Sequence, residues 1–264
     1  MKKMLFRSCI ELTNHRLTSS ALKRFSRSKV SKPLIKPFAS TFGLNEAEMK
    51  RPLHEYAHLH DLFIRELKSE VRPIDQQAQS IISPVDGIVA QHGDLTQGTT
   101  FHVKGQDYNI EEMLGSSQVS QPYYNGYYLI LYLSPSHYHR IHSPVDGMIT
   151  RQWKLGSLSY PVNSVGLRYG KRPLSRNYRV ITEFDVEGSR VALVKVGAMN
   201  INTIELTHKG MHLKKGEEMA YFSFGSTVVL LFEQGLISQS DIEANSEVKV
   251  GEPIAYLRKA GGAM

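Results

Sequence analysis

The chain has 264 residues, 41% of them apolar and 22% charged, the proportions of an ordinary folded protein able to bury a substantial core in one or two domains. Its longest apolar runs, such as Val228 to Phe232, fall far short of the roughly 20 residues a membrane-spanning helix needs, and Arg7 follows Met4-Leu5-Phe6 too soon for a secretory h-region. The single Cys9 excludes an internal disulfide and gives a cysteine metal site no support, so a cytosolic setting is the default expectation.

The net charge of +7 is unevenly placed. Residues 1–40 hold ten basic residues against one acid, Glu11, whereas the other 224 hold 22 basic and 24 acidic. This cationic segment reads as two amphipathic helices. Leu5, Phe6, Cys9, Ile10 and Leu12 share one side of the first; Leu17, Ala21, Leu22 and Phe25 stripe the second, flanked by Lys23, Arg24 and Arg27. Pro33 and Pro37 are expected to end the helical stretch. Basic amphipathic helices suit an anionic bilayer surface, where each cation contributes about 1 kcal/mol. The plainer alternative is a helical hairpin docked on the protein's own core. Nucleic acid is a weaker candidate, because stacking aromatics are nearly absent between the charges.

Residues 54–68 suggest a further helix, closed by Arg72-Pro73. From Ile81 onward short β-branched and aromatic runs alternate with Gly, Pro, Asn and Asp. They are Ile81-Ile82, Ile88 to Ala90, Tyr127 to Leu133, Met148 to Thr150, Val180 to Phe184, Val191 to Val196, Met219 to Phe222 and Val228 to Phe232. That texture predicts an α+β chain with a mainly antiparallel β core, sandwich- or barrel-like, behind an N-terminal amphipathic helical segment. The one helix expected inside the core is short, Ile110 to Leu114. Two internal echoes point to repeated units. Ser83-Pro84-Val85-Asp86-Gly87 recurs as Ser143-Pro144-Val145-Asp146-Gly147, and Lys214-Lys215-Gly216-Glu217 is echoed by Lys249-Val250-Gly251-Glu252. Both are turn chemistry feeding a strand. Lipoyl and biotin carrier domains use similar turns, but neither repeat offers the exposed lysine that a carrier modifies.

Three constellations bear chemistry. His54-Glu55-Tyr56-Ala57-His58 fits the H-E-x-x-H zinc pattern, yet its surroundings are polar and a helix would only be starting there. His137, His139 and His142 crowd one turn, where proton transfer suits them better than metal binding, since no carboxylate stands at a ligand spacing. Phe224-Gly225-Ser226-Thr227 leads straight into Val228 to Phe232; alone it reads as a glycine turn entering a buried strand, and Val228 rules out a G-x-S-x-G elbow.

Together with Phe63-Ile64-Arg65-Glu66-Leu67-Lys68, Arg72-Pro73-Ile74-Asp75, Tyr132-Leu133-Ser134-Pro135, Tyr138-His139-Arg140-Ile141-His142 and Val196-Gly197-Ala198, these segments resemble the phosphatidylserine decarboxylase family, in its order and along essentially the whole chain. Phe224 stands where the family often has Leu, and Asn177-Tyr178-Arg179-Val180 where it often has N-E-R-V. The resemblance implies a proenzyme that cuts itself between Gly225 and Ser226 and converts Ser226 to a covalent pyruvoyl cofactor, with no metal. It implies a triad of Asp86, His142 and Ser226, since a serine nucleophile needs a base and the base an orienting carboxylate. Asp146 is the alternative to Asp86, which is preferred only because the family's aspartate lies in the first copy. His139 is implied as the proton donor after CO₂ leaves a Schiff base with phosphatidylserine, and His142 as a group that could serve both steps.

The expected organisation is residues 1–50 as a membrane-association segment, 51–225 as the β-rich catalytic core, and 226–264 as the pyruvoyl-bearing fragment of the same core. The partners implied are phosphatidylserine, the anionic cytoplasmic face of the cell membrane, the two cleavage fragments held noncovalently, and a second copy. The rival from another class is a membrane-associated serine hydrolase using Ser226, His142 and Asp86 on an external acyl substrate, without self-processing.

Overall fold

The β-branched and aromatic runs become strands in the computed structural model, which describes residues 16–95, 98–162, 164–198, 204–223, 226–240 and 242–258. Among them are β1 (Ser80–Ile82), β2 (Gly87–Asp94), β3 (Thr100–Val103), β4 (Gln106–Asn109), β5 (Tyr127–Leu133), β6 (Arg140–His142), β7 (Gly147–Leu155) and β8 (Arg179–Val186). There follow β9 (Ser189–Gly197), β10 (Ile204–Leu206), β11 (His212–Leu213), β12 (Glu218–Phe222), β13 (Ser226–Phe232), β14 (Ile237–Gln239), β15 (Glu247–Val248) and β16 (Pro253–Leu257). An eight-stranded antiparallel sheet runs β11-β7-β8-β9-β13-β5-β2-β15. Two three-stranded sheets, β1-β16-β14 and β10-β12-β6, and the hairpin β3-β4 complete the set. The fold is α+β as expected, in layers and without a closed barrel.

β13 sits near the middle of the large sheet, paired with β5 on one side and β9 on the other, and all seven of its residues are buried. Its side chains alternate between two cores, as the two-residue period of a strand requires. Val228, Leu230 and Phe232 join a cluster with Ile81, Ile141, Ile204, Phe222 and Ala255 of the two small sheets. Val229 and Leu231 join Phe101, Tyr108, Met113 and Leu174 on the other face. Burial on both faces is why this stretch reads as an unbroken apolar run rather than an alternating one.

The two echoes belong to a structural duplication. The order of the large sheet is symmetric about the β9–β13 seam: β2 answers β7, β5 answers β8 and β15 answers β11. Each half has a register shift at the same place, between Val89 and Gln91 in one and between Ile149 and Arg151 in the other. Ser83 N–H donates to Glu252 O and Ser143 N–H to Glu217 O, both at 2.8 Å. The copies also cross over, Ile82 N–H donating to Pro144 O (3.0 Å) and His142 N–H to Pro84 O (2.8 Å). Gly216 (φ +83°) and Gly251 (φ +93°) hold the left-handed turn conformation that makes glycine the fixed residue of both Lys-x-Gly-Glu turns.

The helices depart most from expectation. α1 (Arg16–Ser26) carries the second amphipathic stripe, while the Leu5 to Leu12 stripe lies outside the described residues. Pro33 and Pro37 do not end the helical stretch. Pro33 lies in a 3-10 turn and Pro37 in the first turn of α2 (Ile35–Phe42), where a missing N–H costs no intrahelical bond. The helix expected over residues 54–68 shrinks to α3 (Leu59–Phe63). Tyr56 is extended (φ −71°, ψ 131°), and His58 caps α3 by accepting Asp61 N–H at Nδ1 (3.0 Å). His54 and His58 therefore share no helix face, and no metal-binding group of His, Cys, Asp or Glu occurs among the described residues. α4 (Ile110–Leu114) is where the sequence put it, between the Asn109 cap and a left-handed Gly115.

Candidate active site

Ser226 opens β13, facing Leu133 of β5 and Gly197 of β9. Its side chain is on the Val228–Leu230–Phe232 face, toward the small sheets. It is fully buried, and its Oγ has no hydrogen-bond partner. An orphaned buried hydroxyl costs free energy, so this group is held ready rather than satisfied. Phe224 and Gly225 lie outside the described residues.

The two histidines come from the turn between β5 and β6. His139 is fully buried against Phe63, ring centroids 3.9 Å apart. Its Nδ1 is 2.9 Å from His137 O. A carbonyl only accepts, so Nδ1 carries the hydrogen and Nε2 keeps a lone pair; Nε2 has no partner. Burial, then the nearby Arg65 charge, push the His139 pKa well below its ordinary value, keeping the ring neutral. Arg65 shares the same carbonyl, donating from Nη2 to His137 O (3.0 Å) and to Ser136 O (2.6 Å).

His142 ends β6. Its Nδ1 donates to Gly216 O (2.7 Å), and Tyr138 O–H reaches its Nε2 at 3.3 Å. Burial lowers its pKa, opposed by the Gly216 bond and by the charges of Glu218 and Asp86. The group orienting His142 is thus a backbone carbonyl rather than a carboxylate.

Asp86 is buried and spends its hydrogen bonds elsewhere. Arg72 donates from Nε to both carboxylate oxygens (2.9 and 3.1 Å) and from Nη2 to Oδ2 (2.5 Å), while Val250 N–H donates to Oδ1 (2.9 Å). No hydrogen bond among the described residues joins Asp86 to His142 or His142 to Ser226. Asp86 instead acts on His142 and His137 through its field, opposing the lowering that burial imposes on the pKa of both. A cavity of about 220 Å³ is lined by Asp86, Arg65, His137 and Tyr138; a second of about 270 Å³, which shares Arg72 and Tyr138 with it, reaches His142.

Asp146, the other candidate, accepts Lys215 N–H (3.0 Å) as Asp86 accepts Val250 N–H, but it is exposed and no arginine among the described residues pairs with it. Accepting that backbone N–H is common to both copies; burial beside the histidine turn belongs to Asp86 alone. Arg65, Arg72 and Tyr138 stand in the segments that carry the family resemblance, but nothing in the sequence signalled their contacts, of which those of Arg65 and Arg72 reach residues distant in the chain.

The phosphatidylserine decarboxylase family model matches residues 59–256. The chain is 53% identical to the phosphatidylserine decarboxylase proenzyme of Geobacillus kaustophilus (strain HTA426) over 261 residues, 98% of this chain and 99% of that protein. It is 54% identical to that of Geobacillus sp. (strain WCH70) over 98% of this chain and 100% of that protein, and 51% identical to that of Bacillus cereus (strain ATCC 10987 / NRS 248) over 97% and 98%. With a model match over most of its length and end-to-end relatives at this identity, the chain belongs to the phosphatidylserine decarboxylase family.

Proposed function

We propose that the chain cleaves itself between Gly225 and Ser226, leaves a pyruvoyl group at position 226, and then decarboxylates phosphatidylserine to phosphatidylethanolamine. The observation that carries this reading is the Ser226 hydroxyl, buried, without a partner, and on the residue whose own backbone nitrogen is in the bond to be cut. A hydroxyl sealed from solvent suits attack on its own backbone and ill suits the rival hydrolase, whose external acyl substrate must reach it. The unpartnered Nε2 of His139 and the tautomer fixed in His142 make both rings proton acceptors at neutral pH. We assign His142, in the field of Asp86, to the cleavage step, and His139 to returning the proton to the substrate carbon. The pyruvoyl ketone supplies an electron sink, taking up the lipid's serine amine as a Schiff base and the electron pair left as CO₂ departs.

Cleavage would give a fragment of 264 − 225 = 39 residues, gripped by β13 between β5 and β9. The substrate is a lipid, and Leu22, Phe25, Val30, Leu34 and Phe42 are exposed along α1, the 3-10 turn after it and α2, a stretch rich in basic residues. No helix among the described residues is long and apolar enough to cross a membrane. These features support peripheral attachment to the anionic cytoplasmic face, and the family resemblance suggests a dimer of the cleaved pair. Intact-mass measurement tests the central claim. Two species, the smaller starting at position 226 with a ketone, are expected from the native chain, and one full-length species from Ser226→Ala; a single uncleaved native chain refutes it.

A further inference from the structure

Lys195 has no role in the chemistry above and is an anomaly in the fold. It is fully buried in β9, and among the described residues its amine makes one hydrogen bond, from Nζ to Thr182 Oγ1 (2.6 Å). No carboxylate among the described residues pairs with it, and burial pulls its pKa from 10.5 down to about 7, so a large share of the amine is neutral at neutral pH and most of it above. In the duplicated fold the matching place in β13 is held by Phe232: Lys195 pairs with Val180 of β8 as Phe232 pairs with Tyr127 of β5. An apolar side chain therefore fits this architecture, and a lysine there is a departure from it.

Register places that amine beside Ser226. Lys195 faces Val228, Ser226 faces Gly197, and both side chains are on the same face of the sheet. They are diagonal neighbours across the pair, roughly 7–8 Å apart at the backbone, within reach of a long side chain. Gly197, which faces Ser226 and is next to Lys195 on that face of β9, has no side chain. Thr182 Oγ1 also accepts from Gln152 Nε2 (2.9 Å), so Nζ can leave without orphaning the threonine.

From this geometry we propose that Lys195 is a carbonyl-reactive amine of the site, which forms an internal imine with the ketone generated at position 226 when no lipid is bound. The inference rests on the processing proposed above. The neutral amine adds to the ketone carbon. The carbonyl oxygen then leaves as water with the amine's two hydrogens, and a C=N bond replaces the C=O bond. Nothing is oxidised or reduced. The incoming serine amine of the lipid displaces Lys195 by exchange at the same carbon, returning the free amine to Thr182.

Borohydride trapping of the purified, lipid-free enzyme tests this. Before reduction, a denaturing gel and intact mass give two fragments if processing occurs; one uncleaved species defeats the processing reading and this inference with it. After reduction, a single covalent species is expected at the summed mass of the two fragments minus one oxygen, with peptide mapping joining Lys195 to position 226. Lys195→Met should still process, lose the cross-link, and gain only two hydrogens on its small fragment. Cleaved native enzyme that gives no cross-link, or one to another residue, overturns the inference while leaving the processing reading intact, as does a cross-link persisting in Lys195→Met.

Discussion

Replacing Lys195 with Met should stabilise the chain, by an amount that depends on pH. In the unfolded chain the amine titrates near 10.5, and in the fold near 7. The difference of 10.5 − 7 = 3.5 units, at about 1.4 kcal/mol per unit, gives a burial cost of about 4–5 kcal/mol at pH 7. The sign follows from proton counting. Between pH 7 and 10.5 the unfolded chain binds more protons at this lysine than the folded chain, so stability rises with pH across that window and the cost fades toward pH 10.5. Methionine has nearly the same length, no charge, and suits the apolar layer around Val228. The measurement is urea unfolding of Lys195→Met against its parent at pH 7, 8, 9 and 10, both carrying Ser226→Ala so that the chain stays in one piece. The expected difference is several kcal/mol at pH 7 and close to zero at the upper end. A difference that does not change with pH would show that Lys195 is charged in the fold, and the account of its burial would be wrong.

Asp86→Asn should cost about 3 kcal/mol, because it breaks the ion pair between Arg72 and the buried Asp86 carboxylate, whereas Asp146→Asn should stay within about 0.5 kcal/mol; equal losses in denaturant unfolding would remove the distinction between the copies. Arg65→Met should move the acid limb of the activity profile to higher pH, since the guanidinium helps hold His139 neutral; Arg65→Lys should recover most of the shift, and an unmoved limb in the methionine variant counts against that role. Leu230→Ala should cost about 3 kcal/mol by leaving a cavity at the centre of β13, and after processing the small fragment should dissociate at lower urea, read by size-exclusion chromatography.

Much of the β core was legible because its signals are local. Tyr127 to Leu133 and Val228 to Phe232 are runs whose ends are marked by turn residues, and the structure uses them nearly residue for residue. The helical regions were less legible. A proline tolerated in the first turn of α2 and a five-residue α3 leave no 3.6-residue period to count. In the site, the chain pattern offered Ser226, His139, His142 and Asp86 as candidates but not their hydrogen bonds. Those depend on Arg72, Val250 and Gly216, brought in by separate loops, as well as on Tyr138 of the histidine turn itself, and no spacing rule connects position 86 to position 250.

The duplication separates scaffold from chemistry more sharply than motifs do. Whatever both halves share is needed to build either half: the serine hydroxyls bonded to Val85 O and Val145 O, the Lys-x-Gly-Glu turns, and a backbone N–H donated to each aspartate. What only one half has must answer to something else. At the end of β6 stands His142, where β1 ends in Ile82; each donates its N–H to the opposite proline carbonyl, so the backbone roles match and only the side chain differs. Asp86 is buried under Arg72, where Asp146 is exposed. The opening serine of β13 is sealed in the core, where β9 opens with Ser189 in a surface hairpin. Every one of these asymmetries adds a titratable or nucleophilic group to the interior, against the burial cost such groups carry. The polar exceptions come from both halves, His142 from the β6 copy and Asp86 and Ser226 from the other, and burial against Arg72 is the physical difference between Asp86 and Asp146, whose pentapeptides are identical.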